Sequence, residues 1–407
     1  MQPAGHRTRT VLACATAVAV LITGAACGGH ENTAAGPPII DVSKIDSGNY
    51  PGTPVDIEKT RTDDSGYVRE AIRIGGVVPL AMDVDSRFIY EPHPSYARNL
   101  AAKNHPVYFG IGVDDNFNAV APGLVVGWTT TGQRRLDSSM GRVLNMDTLR
   151  FTDADHAAAA VKNMSSQVPS RPVTLTGYPA ATAIVTQNSV GYNILTVWCL
   201  RNDLLLILQL VDPVSIPFDV APLADIAKNA LDKWNSAIAG YSETPADKFA
   251  ALPLDVDGML SRTLPFDKDA PPGGMDPEGV YPRQAALHSA NRPDLVKAAF
   301  DDAGVDEMSA AATQIYRTRD AAAATRLAAA LAKEHDDVWV PMDGPPNMPG
   351  VHCFKQPDSK DTDWNAPPTC FAIYDRYVAA VDSLNIQELY QRTAAQYKLL
   401  AYGHGGK

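Results

Sequence analysis

Hydrophobic and polar positions along the chain fall into two stretches of similar order. Leu223, Ile226, Ala227, Ala230, Leu231, Trp234 and Ile238 recur at helical spacing on one face, as do Ile386, Leu389, Tyr390, Tyr397 and Leu400. Ahead of each predicted helix lie strand-sized runs. Val173 to Thr186, Tyr192 to Leu200 and Leu204 to Val211 precede the first; Gly350 to Lys355, Thr369 to Ile373 and Tyr377 to Val381 precede the second. The last two strands of each set flank a polar turn, Arg201-Asn202-Asp203 or Tyr374-Asp375-Arg376, which pairs Asp203 with Asp375 in position. Turns this short join antiparallel neighbours.

The order repeats upstream as well. Phe151-Thr152-Asp153-Ala154-Asp155-His156 runs into four alanines, 157 to 160, and Ile315-Tyr316-Arg317-Thr318-Arg319-Asp320 runs into four more, 321 to 324. Each reads as a strand, a polar turn and an Ala-rich helix, at an offset of 164 residues from Phe151 to Ile315. Thr152 with Asp155 forms a capping-box pattern, and Thr318 with Asp320 sets a cap and an acid at a helix start. The offset drifts to 172 between Asp203 and Asp375, so the loops differ between copies. Tyr96-Ala97-Arg98 and Tyr281-Pro282-Arg283 extend the correspondence weakly. The expected fold is therefore α+β: two related modules, each an antiparallel sheet with helices over one face. The alanine runs read as close helix packing. The join falls between Ser242-Glu243-Thr244-Pro245 and the Pro- and Gly-rich stretch Asp269 to Pro277, giving modules at 41–243 and 244–407.

Residues 1–26 read differently. His6, Arg7 and Arg9 precede an apolar run from Val11 to Ile22, and Gly24-Ala25-Ala26 leads to Cys27. Twelve apolar residues suit a signal-peptide core but fall short of the ~20 that cross a bilayer. The ending is similar to a bacterial lipobox, in which the cysteine is acylated and becomes the first mature residue. Gly24 stands where Leu is usual; the alternative is an ordinary secretory signal with an incidental cysteine. Cys14 has only Val11, Leu12 and Ala13 before it and sits too early to compete. Residues 27–40 then form a lipidated start and a flexible tether, leaving a soluble body outside the cytoplasm, joined to the membrane by its lipid.

Of 407 residues, 45% are hydrophobic and 20% charged, so the chain can bury a core. Its formal charge of −11 argues against nucleic acid as a partner, because phosphate binding needs a basic face. Cleavage before Cys27 removes Arg7 and Arg9 and takes the charge to −13. In an exported chain a disulfide persists, and Cys353 and Cys370 enclose a Pro-rich loop between two strand-like runs. Cys199 is left as a buried free thiol.

The chain lacks a Gly-x-Ser-x-Gly elbow, a Ser-x-x-Lys with its companions and a His-Glu-x-x-His. His352 beside Cys353 has no second ligand pair at zinc spacing, and His156 sits at a helix start. Gly110-Ile111-Gly112 fails as a dinucleotide fingerprint because Asp115 stands where a third Gly belongs. Asp114-Asp115, Asp255-Val256-Asp257-Gly258 and Asp267-Lys268-Asp269 lack the other ligands of a calcium loop. No cofactor, metal or catalytic residue is assigned. Trp128, Trp198, Trp234 and Trp339 are expected in the core. Trp364, in the Pro-bounded cystine loop, is the candidate contact residue if exposed, and otherwise packs over the disulfide.

Two motifs carry a family resemblance. Asp41-Val42-Ser43-Lys44-Ile45-Asp46-Ser47-Gly48-Asn49-Tyr50-Pro51 resembles the opening, and Arg376-Tyr377-Val378-Ala379-Ala380-Val381 with Ala394-Ala395-Gln396-Tyr397-Lys398-Leu399-Leu400 the closing strand and helix, of uncharacterised actinobacterial lipoproteins, mycobacterial and nocardial above all. The resemblance implies a cell-envelope lipoprotein with no established activity and no functional residues to carry over. The plan is also similar to extracytoplasmic sensor domains of mycobacterial receptor kinases, in architecture only. Together these readings point to a non-enzymatic protein that binds an envelope lipid, glycan or protein in a cleft between its modules or along its sheet faces. The alternative is an envelope hydrolase whose site is assembled only in the fold.

Overall fold

The computed structural model describes residues 38, 40–91, 99–101, 117–166, 170–267, 277–333, 339–357 and 367–403. Seven strands make the first sheet: β1 (Asn99–Ala101), β2 (Leu124–Gln133), β3 (Val143–Phe151), β4 (Arg171–Pro172), β5 (Thr182–Gln187), β6 (Asn193–Arg201) and β7 (Leu204–Asp212). Seven make the second: β8 (Gly279–Pro282), β9 (Glu307–Ala310), β10 (Gln314–Arg317), β11 (Val340–Met342), β12 (His352–Lys355), β13 (Thr369–Tyr374) and β14 (Tyr377–Asp382). The spatial orders are β1-β2-β3-β7-β6-β5-β4 and β8-β9-β10-β14-β13-β12-β11, the same winding twice, and every described pairing is antiparallel.

Helices α1 (Ser65–Gly75), α2 (Ala81–Val84) and α3 (Phe117–Val120) precede β2; α4 (Ala154–Ser165) follows β3 and α5 (Ala221–Ile238) follows β7. In the second module α6 (Arg283–Leu287) and α7 (Pro293–Ala303) precede β9, α8 (Ala321–Lys333) follows β10 and α9 (Ile386–Ala401) follows β14. The α+β class and two-module plan stand, with one correction: helices cover both faces of each sheet. The reason lies in the central strands. In β7, Leu204, Leu206, Leu208 and Leu210 face a core that includes Leu223, Ala227, Leu231 and Trp234 of α5. Leu205 and Ile207 face the other way, with Trp198, onto Ala157 and Ala160 of α4. A strand that is apolar on both sides has to be covered on both. In the second sheet Phe371, Ile373 and Val378 pack with Leu327 and Leu331 of α8, whereas Ala372, Ala379 and Val381 pack with Leu389 and Tyr397 of α9.

The register of the repeat also differs from its sequence reading. Arg150 pairs with Leu204 and Arg317 with Tyr377, each at the mouth of a two-residue turn, which places Arg150 opposite Arg317 at an offset of 167. The helix caps follow that offset. Asp153 accepts from the His156 backbone N–H at 2.9 Å and Asp320 from the Ala323 N–H at 2.8 Å. Thr152 and Asp155 therefore form no capping box. Asp375 corresponds to Asn202 rather than to Asp203, since these two take the left-handed conformation at their turns, with φ of 49° and 56°.

The modules share one core. Ile72 of α1, Trp128 of β2, Tyr281 of β8 and Phe300 of α7 belong to a single buried cluster. Helix α1 lies against β2 so closely that a Cβ on Gly75 would come within 2.5 Å of the Trp128 ring. The segment before α1, assigned by chain position to the first module, packs on the second: Ile40, Ile45 and Ile57 join Leu389, Tyr397 and Leu400 in one cluster, and Tyr50 donates to Glu388 at 2.9 Å. Its hydrophobic positions match the exposed flank of α9 rather than any strand of the first sheet.

Each equivalent arginine holds part of the connection between modules. Arg150 donates to the Thr244 carbonyl at 2.7 Å and to Glu70 at 3.4 Å. Glu70 is 0% exposed and also accepts from Arg73 at 2.7 Å, the Thr244 N–H at 3.1 Å and the Tyr241 hydroxyl. Burial works against its charge, but Tyr241, Thr244 and Arg73 outweigh that and hold the carboxyl below its ordinary range. Arg317 binds Asp306 through two nitrogens at 2.8 and 2.9 Å and Asp257 at 2.7 Å, and Asp306 is 58% exposed. Removing Glu70 strands several buried donors, whereas removing Asp306 exposes Arg317 to water and its other partners. Glu70→Ala is expected to cost about 3–5 kcal/mol in urea unfolding and Asp306→Ala about 1 kcal/mol or less; equal losses would contradict the distinction.

Candidate functional site

The structure sorts the residues singled out from sequence. Cys353 and Cys370 are register partners on β12 and β13, bridged, with Cα atoms 4.0 Å apart and both side chains buried. Cys199 is free and buried, and burial pushes its thiol up. Cys27 and Trp364 lie outside the described residues, as do Cys14, Gly110-Ile111-Gly112 and Asp114-Asp115. Trp128, Trp198 and Trp234 are buried; Trp339 is half-buried and stacks on Phe354 at 6.0 Å. His156 contacts Asp153 at 2.8 Å beside the α4 cap, and His352 is exposed on β12. Asp255 accepts from the Leu260 and Ser261 N–H groups and Asp257 binds Arg317, so these carboxylates serve turns and an ion pair. Among the described residues no three His, Cys, Asp or Glu could hold a metal ion.

A different constellation emerges on the α4 side of the first sheet. Strand register aligns Thr129, Asp147, Ile207 and Trp198 in one row across β2, β3, β7 and β6. The next row is Thr131, Asn145, Gln209 and Thr196. Helix α4 packs over the apolar part of this face, on Leu149, Phe151, Trp198, Leu205 and Ile207. Beside that patch stand six adjacent polar side chains: Thr129, Thr131, Asn145, Asp147, Thr196 and Gln209. The opposite face of the same strands is mostly apolar, carrying Trp128, Leu144, Met146, Val197, Leu206, Leu208 and Leu210 with Thr130, Thr148 and Arg150 as its buried polar positions.

Polar groups buried in a sheet face are normally bonded to one another. Here Thr196 is 3% and Gln209 5% exposed, neither side chain is hydrogen-bonded to another described residue, and neither is among the polar atoms sealed from solvent without a partner. Asp147 is buried too and accepts from the Thr129 hydroxyl at 2.7 Å. Burial pushes its carboxyl up to about 7, against the opposing pull of that hydrogen bond. No Arg or Lys side chain of β2, β3, β6 or β7 stands on this face. The face thus offers hydroxyls, amides and a carboxyl poised to donate as well as accept near neutrality. It suits an uncharged ligand rich in hydrogen-bonding groups and gives an anion no counter-charge.

Three other hollows are less suited. One of about 370 Å³ lies between the 44–46 segment, Pro345 to Met348 and α9, and its lining is mostly apolar. A second, about 170 Å³, sits where α1 meets Leu254, Glu278 and Gly279 at the module junction. A third, about 160 Å³, lies between Ser289, Asn291, Phe300, Gln314 and Tyr316. The wide ligand cleft that two separate modules would enclose is occupied instead by the shared core. Sequence reading missed the polar face because β2 was not recognised as a strand and β3 was recognised only at its Phe151 end. The signal was present in the β-branched run Thr129-Thr130-Thr131 and in the alternation Leu144-Asn145-Met146-Asp147.

The raised carboxyl has a measurable consequence. Its folded-state pKa lies above the ordinary 3.8, so the native state holds the proton more tightly and loses stability as pH rises between about 4 and 7. Relative to Asp147→Asn, the parent protein should lose roughly 1 kcal/mol per pH unit across that window. Urea unfolding of both proteins at pH 4.5 and 7.5 measures this; an unchanged difference would show that Asp147 is solvated.

Residues 57–254 match the N-terminal part, and residues 259–403 the C-terminal part, of a family described as a domain of unknown function, DUF7373. The two matches correspond to the two sheets. The resemblance read from sequence holds at this level, a family of unknown function, with the Arg376–Leu400 motif inside the matched stretch and Asp41–Pro51 ahead of it. Among solved structures, the extracellular domain of PknH from Mycobacterium tuberculosis shares 10% identity at a TM-score of 0.27, covering 41% of this chain and 96% of that one. No curated protein matches the sequence. With most of its length matched by the two parts in order, the chain belongs to the DUF7373 family.

Proposed function

We propose that this protein is a non-enzymatic binding protein of the cell envelope, anchored by a lipid on Cys27, which takes an uncharged hydroxyl-rich ligand, such as a glycan or the sugar of a glycolipid, on the polar part of its first sheet. The observation that carries the ligand reading is the pair Thr196 and Gln209, buried yet unbonded among the described residues, next to Asp147. A bound hydroxylated molecule would give these groups hydrogen bonds worth about 0.5–1.5 kcal/mol each. Export is supported by the signal-like residues 1–26 with Gly24-Ala25-Ala26-Cys27, and by a disulfide that suits a non-reducing compartment. No described helix is long and apolar enough to cross a membrane, so attachment rests on the N-terminus.

The hydrolase alternative would need a partner for Asp147. Glycoside hydrolysis uses two carboxyl groups flanking the scissile bond. The described residues of this face place one carboxyl there and no histidine.

The protein purified from its own envelope should carry a stoichiometric glycan or glycolipid by native mass spectrometry, and its N-terminal peptide should begin at an acylated Cys27. Asn145→Ala with Gln209→Ala should reduce the bound fraction at least about tenfold, equivalent to two lost hydrogen bonds. An empty protein whose spectrum is unchanged by neutral oligosaccharides would overturn the ligand reading. An unmodified Cys27 would overturn the anchor alone.

A further inference from the structure

One end of the first sheet carries a second feature. Strand register brings the β2–β3 turn (134–142), the β5–β6 turn (188–192) and the segment after β7 (213–220) to the same edge, since Gln133, Val143, Val211, Ile194 and Thr186 lie in one row. On these three loops Ile216 is 95% exposed, Leu136 69%, Met140 and Val190 67%, and Val214 49%. Single exposed apolar residues are ordinary, but five large ones on neighbouring tips are not.

The exposure is built into the fold. Asp212, at the end of β7, accepts from the Val214 and Ser215 N–H groups at 3.1 Å and from the Ser215 hydroxyl at 2.7 Å. Arg142 crosses from the β2–β3 turn to Asp212 at 3.0 Å and to Ser215 at 3.1 Å, and Arg134 binds Asp85 at 2.6 Å. Burial opposes the Asp212 charge, but Ser215, Val214 and Arg142 outweigh it and keep the carboxyl below its ordinary range. With their backbones pinned by this network, the loops hold Val214 and Ile216 in solvent rather than folding them onto the sheet.

From this geometry we infer that the three loop tips insert into the interfacial layer of a lipid bilayer and set the orientation of the tethered body. Separate prongs suit a bilayer, because lipid flows round each one, whereas a protein partner would need a matching pocket for every tip. Charge supports an apolar mode. Arg134 and Arg142 are already paired with Asp85 and Asp212, and the remaining charges of the loops, Arg135, Asp137 and Asp219, sum to −1. From Cys27 to Ile40 the chain spans at most ~45 Å when extended, which keeps the body close to the surface that holds its lipid. The choice of membrane over protein rests on the Cys27 anchor reading and is independent of what the polar face binds.

The test couples the mature chain beginning at Cys27 to a maleimide lipid in phosphatidylcholine vesicles, so that chemical attachment replaces acylation. Ile216→Trp and, separately, Val190→Trp report on the tips, and Leu295→Trp on exposed α7 is the control. In vesicles of brominated phosphatidylcholine, the emission added by each tip tryptophan should be quenched at least about threefold more than that of the control, with little dependence on salt. Equal quenching at Ile216, Val190 and Leu295 would overturn the proposal and point to a protein partner, whether or not Cys27 is acylated in the cell.

Discussion

The constraint on which the rest of this structure depends is that its central strands are apolar on both sides. In β7, Leu204 to Leu208 leaves no polar position to face water, so the sheet has to be covered twice. The repeated unit answers with one helix after its third strand and another after its seventh, and the second module does the same with α8 and α9. Small residues make this workable. Ala157 and Ala160 let α4 lie close to Trp198, as Ala323 and Ala324 let α8 lie close to the second sheet. The α5 face of one sheet and the α8 face of the other then merge into a single core, which binds the modules far more tightly than their linker could.

The same constraint locates the candidate site. Helix α4 covers only the rows where β3, β6 and β7 are apolar. Where those strands run on, the face turns to Thr, Asn, Asp and Gln, and Asp147, Thr196 and Gln209 are buried there. Among the described residues the second sheet carries no counterpart, because β10 spans four residues where β3 spans nine. The duplication supplied a scaffold, and the longer strands of one copy supplied a surface the other lacks. Asp147 acquires its raised pKa from burial in that setting, against the opposing pull of the Thr129 hydroxyl.

Much of this was legible in the sequence, and the limits have physical causes. The helices α5 and α9 and the strand pair around each two-residue turn were clear from periodicity, because their apolar positions are dense and the turns carry Asn or Asp. The repeat was visible through its alanine runs, yet aligning those runs gave an offset three residues short of the Arg150–Arg317 match. Alanine runs have no internal register, whereas a cap and a buried arginine do. The cystine was legible from spacing and compartment. The polar face was not, because it exists only once β2, β3, β6 and β7 are brought side by side, and neighbouring positions on it come from residues 129, 147, 196 and 209.

The central claim is that this face binds a hydrogen-bonding ligand. A crystal structure of the protein isolated from its own envelope, with its bound material retained, tests it most directly. The account predicts density for an uncharged, hydroxyl-bearing molecule within hydrogen-bond distance of Asp147, Thr196 and Gln209. An ordered ligand bound elsewhere while these side chains are bonded to protein alone would contradict it.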